Sequence, residues 1–461
     1  MKTKILLAFS CLFTIVSFSQ DSIFQLKDYK YRTNGYTALS ITTSFNGGIT
    51  DRKIPADTAT NRSFQLLPTI ISYNKIVSTD KKFSTSSLLL NPTVSFSKEK
   101  KNSVDNKSNS GWTYVNWQFD NRFFKSKNWF LEFGNKLIGN GNRSKQSQAA
   151  VTNKYHQLET TDELMLGFGK GRIEMAQDAQ MALFILNDLK DQGLINQEPD
   201  ANTINEFAKR ITDINNRRIF DYRRKRIYEL SQIESFLREK GITGVTDIRH
   251  FTIINDNWAL AYNPQRSSGS NWFFHIVPWA QLSNSKIISE SSALNYTLKN
   301  KNQRLGISPE LGYENYKPIN LKWQRNFGSV FSWAHYRYAS SSKTVYGTVT
   351  TEDKFSSYEN EARLRIYYSL DYYPNNRTRL NSSLNLNSGY SPFKNSVAKN
   401  RISFNPFLYF STEYFLSYRT RLSAYFTFDY TYDRVKNITL PFTKTHLLNT
   451  NCSMSITHSF L

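Results

Sequence analysis

Cysteine is almost missing from this chain. Of 461 residues, only Cys11 and Cys452 carry thiols. Two cysteines near opposite ends make no disulfide framework, which excludes a stapled mini-domain. Long apolar runs are equally scarce. Past residue 19 the longest unbroken one spans Met181 to Leu186, far short of the roughly 20 residues of a membrane-crossing helix. With 19 Gly and 12 Pro, the chain is neither collagenous nor of low complexity. The six His (156, 250, 275, 335, 446, 458) show no paired ligand spacing and no cysteine cluster accompanies them, so no metal and no cofactor is expected. Gly167-Phe168-Gly169-Lys170-Gly171 lacks the spacing of a phosphate loop and reads as a strand end. No Ser, His and acid combination stands out by spacing, and the chain is read as a non-enzyme.

Aromatic rings and positive charge are plentiful instead. There are 33 Phe, 27 Tyr and 8 Trp, and 59 basic against 37 acidic side chains give a net charge of +22. The mean hydropathy is −0.54. The basic residues are spread along the chain rather than gathered on one helix, which argues against nucleic acid. Residues 1–19 have the make-up of a secretory signal: Lys2 and Lys4, an apolar stretch over 5–16, then Ser17 and Ser19 before a cut at Gln20. An exported chain with one remaining cysteine and no apolar helix leaves two options. It is soluble, or it crosses a membrane with strands whose alternation hides their hydrophobicity.

Alternation is strong in the last third. Successive strand side chains point to opposite faces. In 362–372 the even positions are Ala362, Leu364, Ile366, Tyr368, Leu370 and Tyr372, against Arg363, Arg365, Tyr367, Ser369 and Asp371. The runs 378–386, 402–412, 420–432 and 448–460 repeat this, the last setting Leu448, Cys452, Met454, Ile456 and Phe460 against Asn449, Asn451, Ser453 and Ser455. A soluble strand is usually about 5–6 residues, shorter than these. Less regular candidates cover 37–46, 63–74, 85–97, 111–124, 129–139, 156–170, 270–284, 303–315 and part of 320–339. The count reaches fourteen. Short turns at 373–377 and 415–418 alternate with longer basic stretches at 388–399 and 433–444, read as loops. Trp112, Trp129, Phe130, Trp272, Trp323, Tyr372, Tyr373, Tyr414 and Phe415 fall near strand ends, where an interfacial girdle would lie. Pro68, Pro92, Pro278, Pro309 and Pro406 fall inside proposed strands, where bulges would have to absorb the lost N–H groups.

Signal, alternating strands and a last strand ending Phe460-Leu461 resemble bacterial outer-membrane β-barrel, porin-like proteins. The resemblance covers residues 30–170 and 266–461. It implies a transmembrane antiparallel β-barrel of about fourteen strands in the bacterial outer membrane. It also implies recognition by the barrel-assembly machinery through the last strand, whose aromatic residue here stands one position before the end.

Residues 171–265 change period and divide the barrel into 20–170 and 266–461. Met181, Phe184, Ile185 and Leu189 share a helical face, as do Ile204, Phe207, Ala208, Ile211 and Ile214. Thr203 and Glu206 have capping-box spacing. A third helix over about 218–240 would turn Phe220, Ile227, Leu230, Ile233 and Leu237 inward, with Gly241 and Gly244 ending it. The segment holds thirteen basic and fourteen acidic residues, so the excess charge belongs to the barrel. Six strands precede this α-helical insertion, between strands 6 and 7, which places it on the periplasmic side. It resembles an insertion of uncharacterised exported barrel proteins. Arg223, Arg224, Lys225 and Arg226 are either a docking patch for a periplasmic protein partner or a solvated face paired with Asp221 and Glu229.

Arg363, Arg365, Arg379 and Arg421 fall on the inner parity with Asp371, Glu413 and Asp429. They form either a selectivity filter or a paired structural network. Lys98, Lys100, Lys101, Arg143, Lys145, Lys154, Lys299, Lys301, Lys394 and Lys399 fall in expected outer loops. There they would meet outer-membrane lipid and the phosphates of lipopolysaccharide. The expected function is a channel or uptake pore for small polar or anionic solutes. The alternative is a non-conducting anchor or assembly module whose helices plug the lumen or dock a partner.

Overall fold

The computed structural model describes residues 24–30, 32, 36–54, 57–101, 104–125, 128–148, 151–217, 219, 221–244, 248–259, 266–291, 295–392, 398–416, 420–437 and 443–458. Residues 1–19, expected above to be a signal, and Phe220, Lys394, Phe460 and Leu461 lie outside them. Fourteen strands form one antiparallel sheet in chain order. They are β1 (Tyr36–Ile54), β2 (Asp57–Ser78), β3 (Lys82–Lys101), β4 (Val104–Phe124), β5 (Trp129–Gln148), β6 (Val151–Met175), β7 (Ser267–Glu290), β8 (Asn295–Pro318), β9 (Trp323–Tyr346), β10 (Val349–Asn375), β11 (Thr378–Pro392), β12 (Ala398–Phe415), β13 (Thr420–Asn437) and β14 (Thr443–His458). Between β6 and β7 stand α1 (Gln177–Asp191), α2 (Ala201–Asn216), α3 (Tyr222–Glu239) and α4 (Ile248–Ala259).

The sheet has two chemically distinct faces. One parity exposes Leu131, Phe133, Leu166, Phe168, Ile276, Leu305, Leu311 and Phe331. The other carries polar and charged groups, and it is the concave side. Arg172 at the end of β6 reaches the β2–β3 turn, and Glu132 of β5 meets His275 of β7 across β6. Such contacts between non-neighbouring strands require the wall to curl around an interior. Among the described residues no ladder joins β14 to β1, so these are the two edges of the described sheet.

The prolines explain themselves strand by strand. Pro68 lies in a register shift between Leu66 and Ile71, opposite the part of β3 that holds Pro92. Pairing is likewise skipped around Pro278 toward β6, around Pro309 toward β9 and around Pro406 toward β13. On the other side the ladder continues for four of them: Pro92 opposite Thr113, Pro278 opposite Ile307, Pro309 opposite Ile276, Pro406 opposite Leu386. At Pro68 the β1 ladder shifts as well, between Thr42 and Ser44. A strand residue donates to one neighbour only, so a proline costs one bond of one ladder.

Two expectations about connections fail. The stretches 388–399 and 433–444 are mostly strand, because β11 runs to Pro392, β12 starts at Ala398, β13 runs to Asn437 and β14 starts at Thr443. Hydrogen bonding carries the hairpins past the apolar band, giving strands of up to 27 residues. The girdle divides by parity. Trp129 and Phe168 pack edge-to-face on Trp272 outside, and Trp323 lies tilted against Tyr372 with centroids 4.4 Å apart. Trp112 shares the inner parity of Arg122, while Phe130 and Tyr373 are buried inside under Arg122 and Arg266.

The helices form a separate core with the N-terminal segment. Phe24, Leu26 and Tyr29 pack with Ala182, Ile185, Leu189, Phe207, Ile211, Ile233, Leu237 and Trp258. The expected third helix is present as α3, and α4 is an additional one. Its buried face, His250, Ile254, Asn257 and Trp258, is half polar, which masks its period. Ile227 does not turn inward but is 61% exposed. Glu229 takes that face instead and accepts from Trp258 Nε1 at 2.7 Å. The cap of α2 is Asp200, which accepts from Thr203 N at 2.8 Å, and Glu206 pairs with Lys240 at 2.5 Å rather than closing a capping box.

Two measurements check this architecture. Unpaired edge strands in hydrocarbon leave N–H and C=O groups that cost several kcal/mol each, so β1 and β14 should meet. Single cysteines at Thr37, Leu39 or Ile41 should cross-link under mild oxidation with Cys452 or with Ile456→Cys. An empty scan would leave the seam open. The second concerns Asp178, buried beneath α2 with Thr212 donating at 2.5 Å and Asn215 at 3.2 Å. Burial raises its carboxyl above the ordinary range, against the pull of those hydrogen bonds. Its contribution to stability is therefore present at pH below about 4 and is lost as pH rises through the raised pKa. Amide protection in the helices, taken relative to the intrinsic exchange rate at each pH, should fall as pH rises, and Asp178→Asn should weaken that dependence.

Candidate functional site: the lumen and its polar belt

The inner face toward the helices is ringed with paired polar groups. On β4 and β5, Arg122 and Glu132 stand directly opposite and form a 3.1 Å ion pair. Glu132 also meets His275 Nε2 at 3.0 Å. Gly167 lies between them on β6, where a Cβ would fall 2.2 Å from the His275 ring. Its lack of a side chain therefore lets Glu132 and His275 touch across the intervening strand. Asn271, its amide turned to satisfy both partners, accepts from Arg122 at 2.7 Å and donates to Glu314 at 3.2 Å. Phe273 stacks on His275 with centroids 4.3 Å apart.

The belt continues through the second half. Gln324 donates to Asn326 at 2.8 Å, and Asn326 to Ser369 and Asp371 at 3.0 and 3.1 Å. Arg379 and Asn381 both donate to Asp371, at 3.0 and 2.8 Å. Arg421 pairs with Glu413 at 3.3 Å. Glu132, Asn271, His275, Gln324 and Asp371 are all buried, so the interior is narrow here. Above the belt is a cavity of about 600 Å³. Lys136, Arg304, Arg363 and Arg365 line it together with Asp120, Glu163, Glu310 and Glu361.

The seven sequence-chosen lumen residues all share the inner parity. The structure joins Arg379 to Asp371 and Arg421 to Glu413, and it gives Arg363 and Arg365 their own acids. Arg363 pairs with Glu361 at 2.6 Å and Arg365 with Glu310 at 3.7 Å. Asp429 faces Phe407 and Asn449 and makes no ion pair among the described residues. The basic run of α3 separates in two. Arg223 and Arg224 are exposed, while Lys225 lies 3.6 Å from Glu229 and Arg226 donates to Asn255 at 2.8 Å. Asp221 caps the helix by accepting from Arg224 N at 2.7 Å.

Two arginines escaped the sequence reading. Arg172 and Arg266 stand where the chain leaves β6 and enters β7. Arg172 donates to Thr79 O at 2.8 Å and pairs with Glu174 at 2.9 Å. Arg266 is fully buried and donates to the carbonyls of Asn320, Leu321 and Trp323. Both stems of the insertion are thus tied to neighbouring strand turns. Asn376 donates to Asn257 at 2.6 Å, and Arg377 pairs with Asp256, fastening α4 to the β10–β11 turn. Their position flanking a change of period was the available signal.

No family profile matches this sequence, and no curated protein does. Among solved structures, the chain is similar to the TodX monoaromatic hydrocarbon channel deltaS2 mutant, at 8% identity and a TM-score of 0.34 over 88% of this chain and 85% of that one. It is also similar to the Pseudomonas putida toluene transporter TodX, at 9% identity and a TM-score of 0.31 over 92% and 88%.

Proposed function

We propose that this protein is a bacterial outer-membrane channel for small polar solutes, with its helices on the periplasmic side. The observation that carries the reading is the polar cavity enclosed by β3 to β10 behind a wall whose outer side chains are apolar. Six strands before the insertion return a chain that starts in the periplasm to the periplasm. The ion pairs of Arg363, Arg365, Arg379 and Arg421 favour the structural-network side of the earlier alternative. With four basic and four acidic groups around the cavity, the lumen offers little net attraction for anions. The belt sets the narrowest point.

Reconstituted in planar bilayers, the full chain should conduct in discrete steps and discriminate weakly between K+ and Cl−. Absence of conductance above background would remove the channel. Phe273→Ala empties the space over Gly312, where the ring now fits so closely that a Cβ would come within 2.1 Å. It leaves no charge unpaired and should raise unit conductance without altering selectivity. Heat-modifiable gel migration reports whether the variant has folded.

A second reading has its own observation. Ile248 is 75% exposed and Phe251 51% on α4, and Ile227 is exposed on α3 below the free ends of Arg223 and Arg224. Such groups suit a periplasmic protein with an apolar, acidic face. Ile248→Glu with Phe251→Glu should release a co-purifying protein while conductance stays unchanged. Retention of that protein by the double variant would count against docking.

A further inference from the structure

Inside the wall, nearly every arginine of the belt and cavity has a carboxylate. Outside, one row of cations makes no ion pair among the described residues. The register places Arg143 of β5 opposite His156 of β6, His156 opposite Lys286 of β7, Lys286 opposite Lys299 of β8, and Lys299 opposite Lys343 of β9. All five have the outward parity, shared with Leu131, Leu158, Ile276, Leu305 and Phe331. Arg143, Lys299 and Lys343 are exposed, His156 and Lys286 half-buried. The expectation of loop positions for Arg143 and Lys299 is corrected here, since both, like the other described residues of that set, lie within strands.

Directly opposed side chains on paired strands stand about 5 Å apart at Cβ, and like charges so placed destabilise the pairing. Lys286, Lys299 and Lys343 are three in succession. Among the described residues neither they nor Arg143 make an ion pair within 4.0 Å, although Glu352 faces Lys343 at the end of the row and pairs with Lys354 at 3.0 Å. The row borders a cavity of about 810 Å³ on the outer surface, with Lys301 on its wall and the small residues Gly111, Thr113 and Gly141 at one end.

The height of the row is set by the sequence of β7. Trp272, Phe274, Ile276, Pro278, Ala280 and Leu282 point outward in succession. At about 3.3 Å per residue and a tilt near 40° they cover roughly 25 Å, the height of an apolar band. Lys286 comes four residues later, at the end of the strand far from the helices. A cation there stands at headgroup level.

We propose that this row is a binding site for a lipid whose headgroup carries more than one phosphate, seated in the outer leaflet. It rests on the membrane reading given above and adds a ligand to it. Several phosphates spaced across four inter-strand steps of about 4.8 Å each would neutralise the adjacent lysines together. A headgroup without phosphate would leave the repulsion in place.

The test uses the folded full chain in detergent, titrated with a diphosphorylated lipopolysaccharide anchor lipid and read by native mass spectrometry. The variant carries Lys286→Gln, Lys299→Gln and Lys343→Gln. At roughly fivefold in affinity for each of the three cations, binding should fall about a hundredfold. A triple Lys→Arg variant should keep it, and the dephosphorylated lipid should bind the wild type as weakly as the Gln variant binds the intact one. Equal binding of the intact lipid by wild type and Gln variant overturns the site. So does equal binding of phosphorylated and dephosphorylated lipid. Full displacement by inorganic phosphate at matched concentration overturns the lipid as ligand and leaves a soluble anion. The membrane reading fails separately, if the chain does not enter bilayers at all.

Discussion

A backbone that crosses hydrocarbon finds no water, so every N–H and C=O must be bonded within the protein. On the membrane reading proposed above, that demand shapes the wall. It makes fourteen strands pair in chain order, because each hairpin finds its partner with the least chain between them. It also decides where proline is permitted. Four of the five strand prolines sit where one ladder is interrupted while the opposite ladder runs on, and Pro68 sits where both are interrupted. The same demand makes the edges of β1 and β14 the least stable feature of the sheet.

A wall one residue thick has no apolar core, and its interior must be held by polar pairs. A charge taken from water without a partner is costly, and breaking a buried pair leaves the other charge stranded. The belt meets this by linking groups over three or more strands, as with Arg122, Glu132 and His275. Glycines on the intervening strand make such links possible. The helices obey the opposite logic, with an apolar core of their own. Arg172 and Arg266 connect the two regimes by donating to carbonyls of strand turns. A guanidinium suits that position because it offers five donors in a fixed fork.

Period-two alternation depends only on neighbouring residues, so the number, order and parity of the strands could be read from the chain. Strand length could not. Beyond the apolar band the hairpins continue by hydrogen bonding alone, and polar residues there look like loops. Parity near strand ends was equally obscure, since Phe130 and Trp129 are adjacent yet lie on opposite faces. Helix α4 escaped because two of its inward groups, His250 and Asn257, are polar. On α3 a buried Glu229, held by Trp258, displaced the more apolar Ile227 from the core. The seven lumen candidates share one parity of the sheet. Their partners were not legible, since Arg365 and Glu310 come from strands that are not even neighbours.

The two faces of the wall treat the same residue types in opposite ways, and the difference follows from their surroundings. In the narrow interior an unpaired guanidinium has little water to turn to, so an acid from a nearby strand accompanies it. On the outer rim Lys299 and Lys343 oppose each other without an acid between them. Exposure to water alone would make an isolated lysine unremarkable there. It does not account for three in register on consecutive strands, because directly opposed like charges weaken the pairing that holds the wall together. The one acid that faces the row, Glu352 opposite Lys343, is itself paired with Lys354. On the membrane reading proposed above, the row stands where the apolar side chains of β7 end, and the phosphates of lipid headgroups are the compensation it is proposed to bind.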